Sequence, residues 1–135
     1  MNILFIDSDE QQRQRWVDAL VTYSPGFTCF QAADGRTGLA IVAREHVDCV
    51  ILELNLPDRS GLAILLELVH FVRHPQMPVV VLTEVPLELI SDIALRNGAQ
   101  SCLVKEPIVA ADLDVAIRSA VAAVGSNRRI PASYG

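Results

Sequence analysis

Residues 47–65, VDCVILELNLPDRSGLAIL, decide the fold. The run CVIL at 49–52 is continuously apolar, as expected of a strand covered on both faces in a parallel sheet. An acid, Glu53, follows the run at once, then Asn55 and a Pro-Asp-Arg-Ser-Gly loop, and then a helical period. Working outward, strand-like runs stand at Asn2–Ile6, Phe27–Gln31, Asp48–Leu52, Pro78–Leu82 and Ser101–Val104. Two of the others, ILFI and VVVL, are also apolar throughout. The stretches between them are long enough for crossover helices. The spacing therefore predicts β-α repeated five times, with right-handed crossovers and helices on both faces of the sheet.

Helix signals agree. Ser8 followed by Gln11 reads as a capping box, and Asp34 as the N-cap of the second helix. Pro75 closes the third helix, and Gly98 stands where a C′ glycine would end the fourth. The fifth is expected from near Ala110 to about Val124, with Gly125 ending it. Residues 1–124 then form the domain, and 125–135, GSNRRIPASYG, a flexible tail or linker stub.

Composition narrows the function classes. A chain of 135 residues that is 51% apolar is long enough for one domain with a full core, without metal or disulfide staples. Eleven basic against sixteen acidic residues leave a formal charge of −5, which speaks against nucleic acid as a direct partner. Cys29, Cys49 and Cys102 form no CxxC pair and no zinc spacing, so they read as small buried hydrophobes. No stretch approaches the roughly 18 apolar residues of a membrane span. The start, MNILFIDSDE, meets an acid at Asp7 and carries no basic region, unlike a signal peptide. A cytoplasmic location is expected. His70 and His74 stand at i,i+4 with no third ligand evident, and Trp16 shares a packing stripe with Val17, Leu20 and Val21.

In an open parallel sheet, sites form beyond the carboxyl ends of the strands. The residues there are Asp7, Ser8 and Asp9; Glu53 and Asn55; Thr83 and Glu84; and Lys105. Any one of them is the polar residue a loop ordinarily carries, and Asp7 and Asp9 would suit a helix dipole without further purpose. Carboxylates, a hydroxyl and an ammonium on one rim are a stronger signal together.

Four stretches, ILFIDSDE, VDCVILELNLPDRSGLAIL, PVVVLT and NGAQSCLVKEP, fall in the register of a known family. Through them the chain resembles a two-component response-regulator receiver domain over about residues 2–124. The resemblance implies a flavodoxin-like (βα)5 fold with a five-stranded parallel sheet in the order 2-1-3-4-5. In that family an acidic pair after the first strand helps hold Mg²⁺, and an aspartate after the third accepts a phosphoryl group from a histidine kinase. A threonine or serine then binds the phosphate and a lysine pairs with it. Carried across, Asp7 is the first acid, Thr83 the hydroxyl and Lys105 the ammonium. Asn55 would lend its backbone carbonyl, so the metal positions are Asp7, Glu53 and Asn55. The implied partners are a histidine kinase or other signalling protein. An output protein or a second copy would dock on the face of the fourth helix, fifth strand and fifth helix, which carries Leu87, Leu89, Ile93, Val115 and Val121.

The departures decide the reading. Glu53 stands where the phosphoacceptor aspartate would be, and Ser8 replaces the second acid, with Asp9 one residue late. Cys102 takes the place of the usual aromatic, and Glu106 separates Lys105 from Pro107. The extra methylene of glutamate pushes its carboxylate outward by about 1.5 Å, into reach of Thr83 and Lys105. In-line attack tolerates little of this, since a 1 Å misplacement can cost about 100-fold. Losing an acid at Ser8 removes a negative charge from the metal site, so Mg²⁺ is expected to bind weakly. A Glu53–Lys105 pair at about 4 Å has a gross attraction of about 4 kcal/mol at an effective dielectric near 20, before desolvation. It would imitate part of a phosphorylated arrangement, with one charge where a phosphate brings nearly two.

The favoured expectation is a degenerate receiver, not an enzyme, that acts as a phosphorylation-independent interaction module. One alternative is a functional Mg²⁺-dependent phosphoaccepting receiver. Another is a haloacid-dehalogenase-like phosphatase, in which Asp7 of an Asp7-Ser8-Asp9 motif is the nucleophile and Asp9 the general acid. Against the last stand Gln11 and the want of a late acidic pair.

Overall fold

A computed structural model describes the backbone of residues 1–71 and 77–134, and the side chains of residues 1–69 and 77–125. Five strands, β1 (Asn2–Ile6), β2 (Thr28–Ala32), β3 (Cys49–Leu52), β4 (Val79–Thr83) and β5 (Ser101–Val104), alternate with helices. The helices are α1 (Glu10–Tyr23), α2 (Gly35–Arg44), α3 (Gly61–Leu66), α4 (Leu87–Arg96) and α5 (Ala110–Tyr134). A π-helical turn, Glu67–Phe71, continues α3. The sheet order is β2-β1-β3-β4-β5 with every neighbouring pair parallel, which is the flavodoxin-like arrangement expected.

The period of two along each strand divides the core into two layers. Leu4, Ile6, Val50, Leu52, Val79 and Val81 face α2–α4, where Ile41, Ile64, Leu65, Leu68 and Ala94 are buried. Ile3, Phe5, Cys49, Ile51, Val80 and Leu82 face α1 and α5, meeting Val17, Leu20, Leu113 and Ile117. β3 is buried at every position, as its unbroken apolar run requires.

Local signals hold with adjustments at the ends of elements; β2 runs Thr28–Ala32 where Phe27–Gln31 was expected, and β3 begins at Cys49 and not Asp48. The cap of α1 is Asp9 and not Ser8: Asp9 Oδ1 accepts from the Gln12 amide at 3.0 Å, while Asp7 Oδ1 accepts from the Asp9 amide at 2.9 Å. Asp7 thereby holds the chain extended for one residue more, and Ser8 is left exposed. β4 takes Thr83 into the sheet, where it pairs with Val104. Finally, α5 runs through Gly125 to Tyr134. A glycine ends a helix when it turns left-handed, and Gly125 does not; its missing side chain costs a helix about 1 kcal/mol without stopping it. Gly98 does turn, with φ +108°, and a Cβ there would lie 2.6 Å from Val69 Cγ1, so it ends α4 as expected. Asp34 caps α2 through the Thr37 amide at 2.7 Å. From the NLPDRSG loop, Asp58 accepts from the next two free amides, Gly35 and Arg36, both at 3.0 Å. These bonds hold the Asp58 carboxyl below its usual range.

Among the described residues no helix is long and apolar enough to cross a membrane. The His70 side chain, His74 and Pro75 lie outside the described residues.

Candidate functional site: a closed carboxylate–lysine pocket

Parallel pairing sends every strand end to one edge. Ile6 lies opposite Leu52, Leu52 opposite Val81, and Thr83 opposite Val104. The next residue on β1, β3 and β5 is therefore Asp7, Glu53 and Lys105, beside Thr83 at the end of β4. All four are buried. The sequence-predicted rim is thus brought together at these four positions, whereas Ser8, Asp9 and Asn55 are exposed around it.

Lys105 is the hub. Its Nζ lies 2.7 Å from Asp7 Oδ2, 2.7 Å from Gln12 Oε1 and 3.3 Å from Glu53 Oε1. Burial alone would lower the pKa of its ammonium. The hydrogen bond and charge of Asp7, joined by those of Glu53, outweigh burial and raise it above the ordinary lysine value. Glu53 is equally engaged. Its Oε2 accepts from Thr83 Oγ1 at 2.7 Å and from the Leu54 and Asn55 amides at 2.6 and 3.2 Å. Its Oε1 accepts from the Glu84 amide at 3.3 Å, and the Val85 amide turns back onto Thr83 Oγ1 at 3.1 Å. The loop between β4 and α4 is therefore tied to the carboxylate directly and through the hydroxyl.

Two residues on α1 complete the pocket. Buried Arg13 donates from Nη1 to the Asp7 carbonyl at 2.5 Å and from Nε to Gln31 Oε1 at 2.9 Å. Gln12 accepts from Lys105 and donates to Glu84 Oε1. Neither was legible in the sequence, where they sit inside the polar run EQQRQR; only the three-residue step from Asp9 to Gln12 hints at a shared helix face. A groove of about 680 Å³ opens beside Lys105, lined by Arg15, Trp16, Ile108 and Val109 among others. Trp16 also packs against the α1–α5 core layer, as its stripe predicts.

The cysteines behave as buried thiols to different degrees. Cys49 is fully buried, and burial pushes it up to about 12 and half-buried Cys29 up to about 11. Cys102 packs partly on the core, and burial followed by the charge of Glu53 raises its thiol as well. The Glu106–Pro107 peptide that follows Lys105 is cis.

A divalent cation asks for oxygen ligands free to turn toward it. Among the described residues no group of three or more His, Cys, Asp or Glu side chains is placed to hold one. Asp7 and Glu53 grip the Lys105 ammonium between them, and Ser8 points no carboxylate at the pocket. As placed, the Asp7 and Glu53 carboxylates are both engaged by the ammonium.

A family model for the response regulator receiver domain matches residues 3–118. The probable transcriptional regulator ycf27 of Porphyridium aerugineum is 33% identical over 136 residues, covering 97% of this chain and 53% of that protein. The chain thus spans about half the length of this curated relative. A response regulator receiver domain protein from Clostridium thermocellum superposes with a TM-score of 0.75 at 30% identity, over 89% of this chain and 93% of that one. A chain of the CheX-CheY-BeF3-Mg²⁺ complex from Borrelia burgdorferi superposes at 0.76 over 88% of this chain and 87% of its own, and at 21% identity shares the fold.

The chain belongs to the response regulator receiver domain family, the non-enzymatic receiving module of two-component signalling. Receiver domains typically bind Mg²⁺ and interact with histidine kinases and other signalling proteins. The phosphatase alternative falls with this assignment. Its would-be nucleophile, Asp7, is ion-paired, and its would-be acid, Asp9, is a helix cap.

Proposed function

We propose that this receiver is degenerate, with Glu53 in the phosphoacceptor position, and that it works as a phosphorylation-independent interaction module. One observation carries the reading: the Glu53 carboxylate already takes the Thr83 hydroxyl, three backbone amides and the Lys105 ammonium. Thr83 and Lys105 match the positions that in the family would meet a phosphoryl group. Glu53 supplies a permanent carboxylate there, so the β4–α4 loop is held without phosphate. Mg²⁺ binds weakly in this reading, because it must displace the ammonium from Asp7 and Glu53 and finds no second acid at Ser8.

Residues 1–124 are the receiver unit in this proposal, and 125–135 are a tail or linker stub. A signalling protein or histidine kinase is the partner. An output protein or second copy docks on α4, β5 and α5, where Leu89, Ile93 and Val115 are exposed. A cytoplasmic location accords with this role.

Intact mass after incubation with Mg²⁺ and acetyl phosphate tests the proposal. No stable gain of one phosphate is expected. A gain mapped to Glu53 would overturn it in favour of an ordinary phosphoaccepting receiver, as would a saturable change in Trp16 fluorescence with Mg²⁺ and beryllofluoride. Combining Glu53→Asp with Ser8→Asp is expected to restore metal-dependent phosphorylation in the same assay.

A further inference from the structure

We infer that Gln12 is a positioning residue that fastens Lys105 to the β4–α4 loop across the mouth of the pocket, and so sets where α4 begins. The inference rests on reading the pocket as closed by its own side chains. Gln12 Oε1 accepts from Lys105 Nζ at 2.7 Å, and its Nε2 donates to Glu84 Oε1 at 2.5 Å. A lysine ammonium only donates and a carboxylate only accepts. A carboxamide serves both at once, and the two partners fix which way round it lies. No charged side chain can replace it while residue 84 is a carboxylate.

The loop needs such a fastening. α4 has Pro86 at its N-cap with no side-chain cap bond, and Ala94 is its one buried residue. Leu89, Ile93 and Leu95 are exposed. With little local capping and little burial, the start of α4 depends on what holds residues 84–86. Glu53 holds the Glu84 amide and Thr83 the Val85 amide from the sheet side. Gln12 holds the Glu84 side chain from α1. The same side chain helps line the groove beside Trp16, so α1 and the β4–α4 loop are joined through one amide.

Amide hydrogen exchange of the full chain, without Mg²⁺ or phosphodonor, tests this. Gln12→Met keeps the length of the side chain and removes both polar contacts. Exchange at Glu84, Val85 and Leu89 is expected to rise about 5- to 10-fold, with β2 amides unchanged. Gln12→Glu sets two carboxylates against each other and is expected to loosen the same amides. Adding Glu84→Gln to Gln12→Glu restores a carboxylate–carboxamide pair with reversed polarity, and should return exchange to within about 2-fold of the parent. Unchanged rates in both single variants, or no recovery in the double variant, would overturn the inference. Phosphorylation at Glu53 would be detected separately by mass, so failure of the proposed function and failure of this fastening are told apart.

Discussion

The molecule contains the same trio of groups twice. In the pocket at the strand ends, a hydroxyl (Thr83), carboxylates (Asp7 and Glu53) and a cation (Lys105) meet. At the seam between the end of α1 and α5, Ser24 Oγ donates to Asp114 Oδ2, and Arg118 Nε donates to Asp114 Oδ1 at 2.8 Å. The cations differ. The Lys105 side chain is 7% exposed and serves two anions, whereas that of Arg118 is 57% exposed, with Cζ 4.8 Å from the centre of the Phe27 ring. The seam keeps its positive charge in water and acts as a clamp between two helices. The pocket keeps both signs out of water, an arrangement that costs stability unless every lone pair is met. Buried ionic networks of this kind collect at functional sites, and the comparison teaches that burial of the cation, not the list of residues, separates site from clamp.

That contrast can be broken by experiment, beginning where the effect should be greatest. Lys105→Met leaves Asp7 and Glu53 buried without their counter-ion, and urea unfolding at pH 7 should show a loss of about 3–5 kcal/mol. A loss no larger than that of an exposed pair would mean water reaches the pocket. Thr83→Val removes a neutral donor to a charged acceptor, and the unfolding midpoint should fall by the equivalent of about 1.5–3 kcal/mol. At the seam, Ser24→Ala should cost only about 1 kcal/mol, because Asp114 retains Arg118. Smallest is Arg118→Ala, at about 0.5 kcal/mol by the same measurement. Equal costs for Thr83→Val and Arg118→Ala would erase the distinction between the regions.

Titration sharpens it further. Because the Lys105 ammonium is raised in the folded protein, its contribution is complete below the ordinary lysine value near 10.4. It is lost as pH rises through the higher folded value. The stability gap between parent and Lys105→Met should therefore persist to about pH 10 and shrink beyond it. Asp114 behaves oppositely. Burial would raise its carboxyl, but hydrogen bonds from Arg118 and Ser24, with the charge of Arg118, hold it below the usual range. Its contribution is present above the ordinary carboxylate value near 3.9 and disappears as pH falls through the lower folded one. Stability curves of Ser24→Ala and parent should converge in acid, not in alkali.

The alternation of apolar runs with helical stretches was enough to give a parallel sheet with helices on both faces, because a parallel strand buried on both faces has to be apolar at consecutive positions, as CVIL and VVVL are. The order of the strands came from the family resemblance. Thr83, Lys105, Asp7 and Glu53 were legible for a related reason: a parallel sheet delivers whatever follows its strands to one edge. The helix ends were less so. Ser8 and Asp9 are both good caps, and the choice fell to Asp9 through the hold of Asp7 on its amide, a contact that forms only once β1 has been placed. Gly125 looked like a stop, yet a glycine ends a helix by its dihedral angles, which composition does not reveal.

By itself, then, the amino-acid order determined which groups reach the rim and that a glutamate stands among them. Of their contacts it gave the reach of Glu53 to Thr83 and Lys105, and not the others. Lys105 meets Gln12 across 93 residues of chain, and Gln12 meets Glu84 across 72. Partners so distant are chosen by packing of α1 against the sheet and by a burial that makes each unpaired polar atom expensive. Tertiary structure alone decided that Asp7 joins Glu53 on the ammonium, and that an unremarkable glutamine ties the start of α1 to the β4–α4 loop.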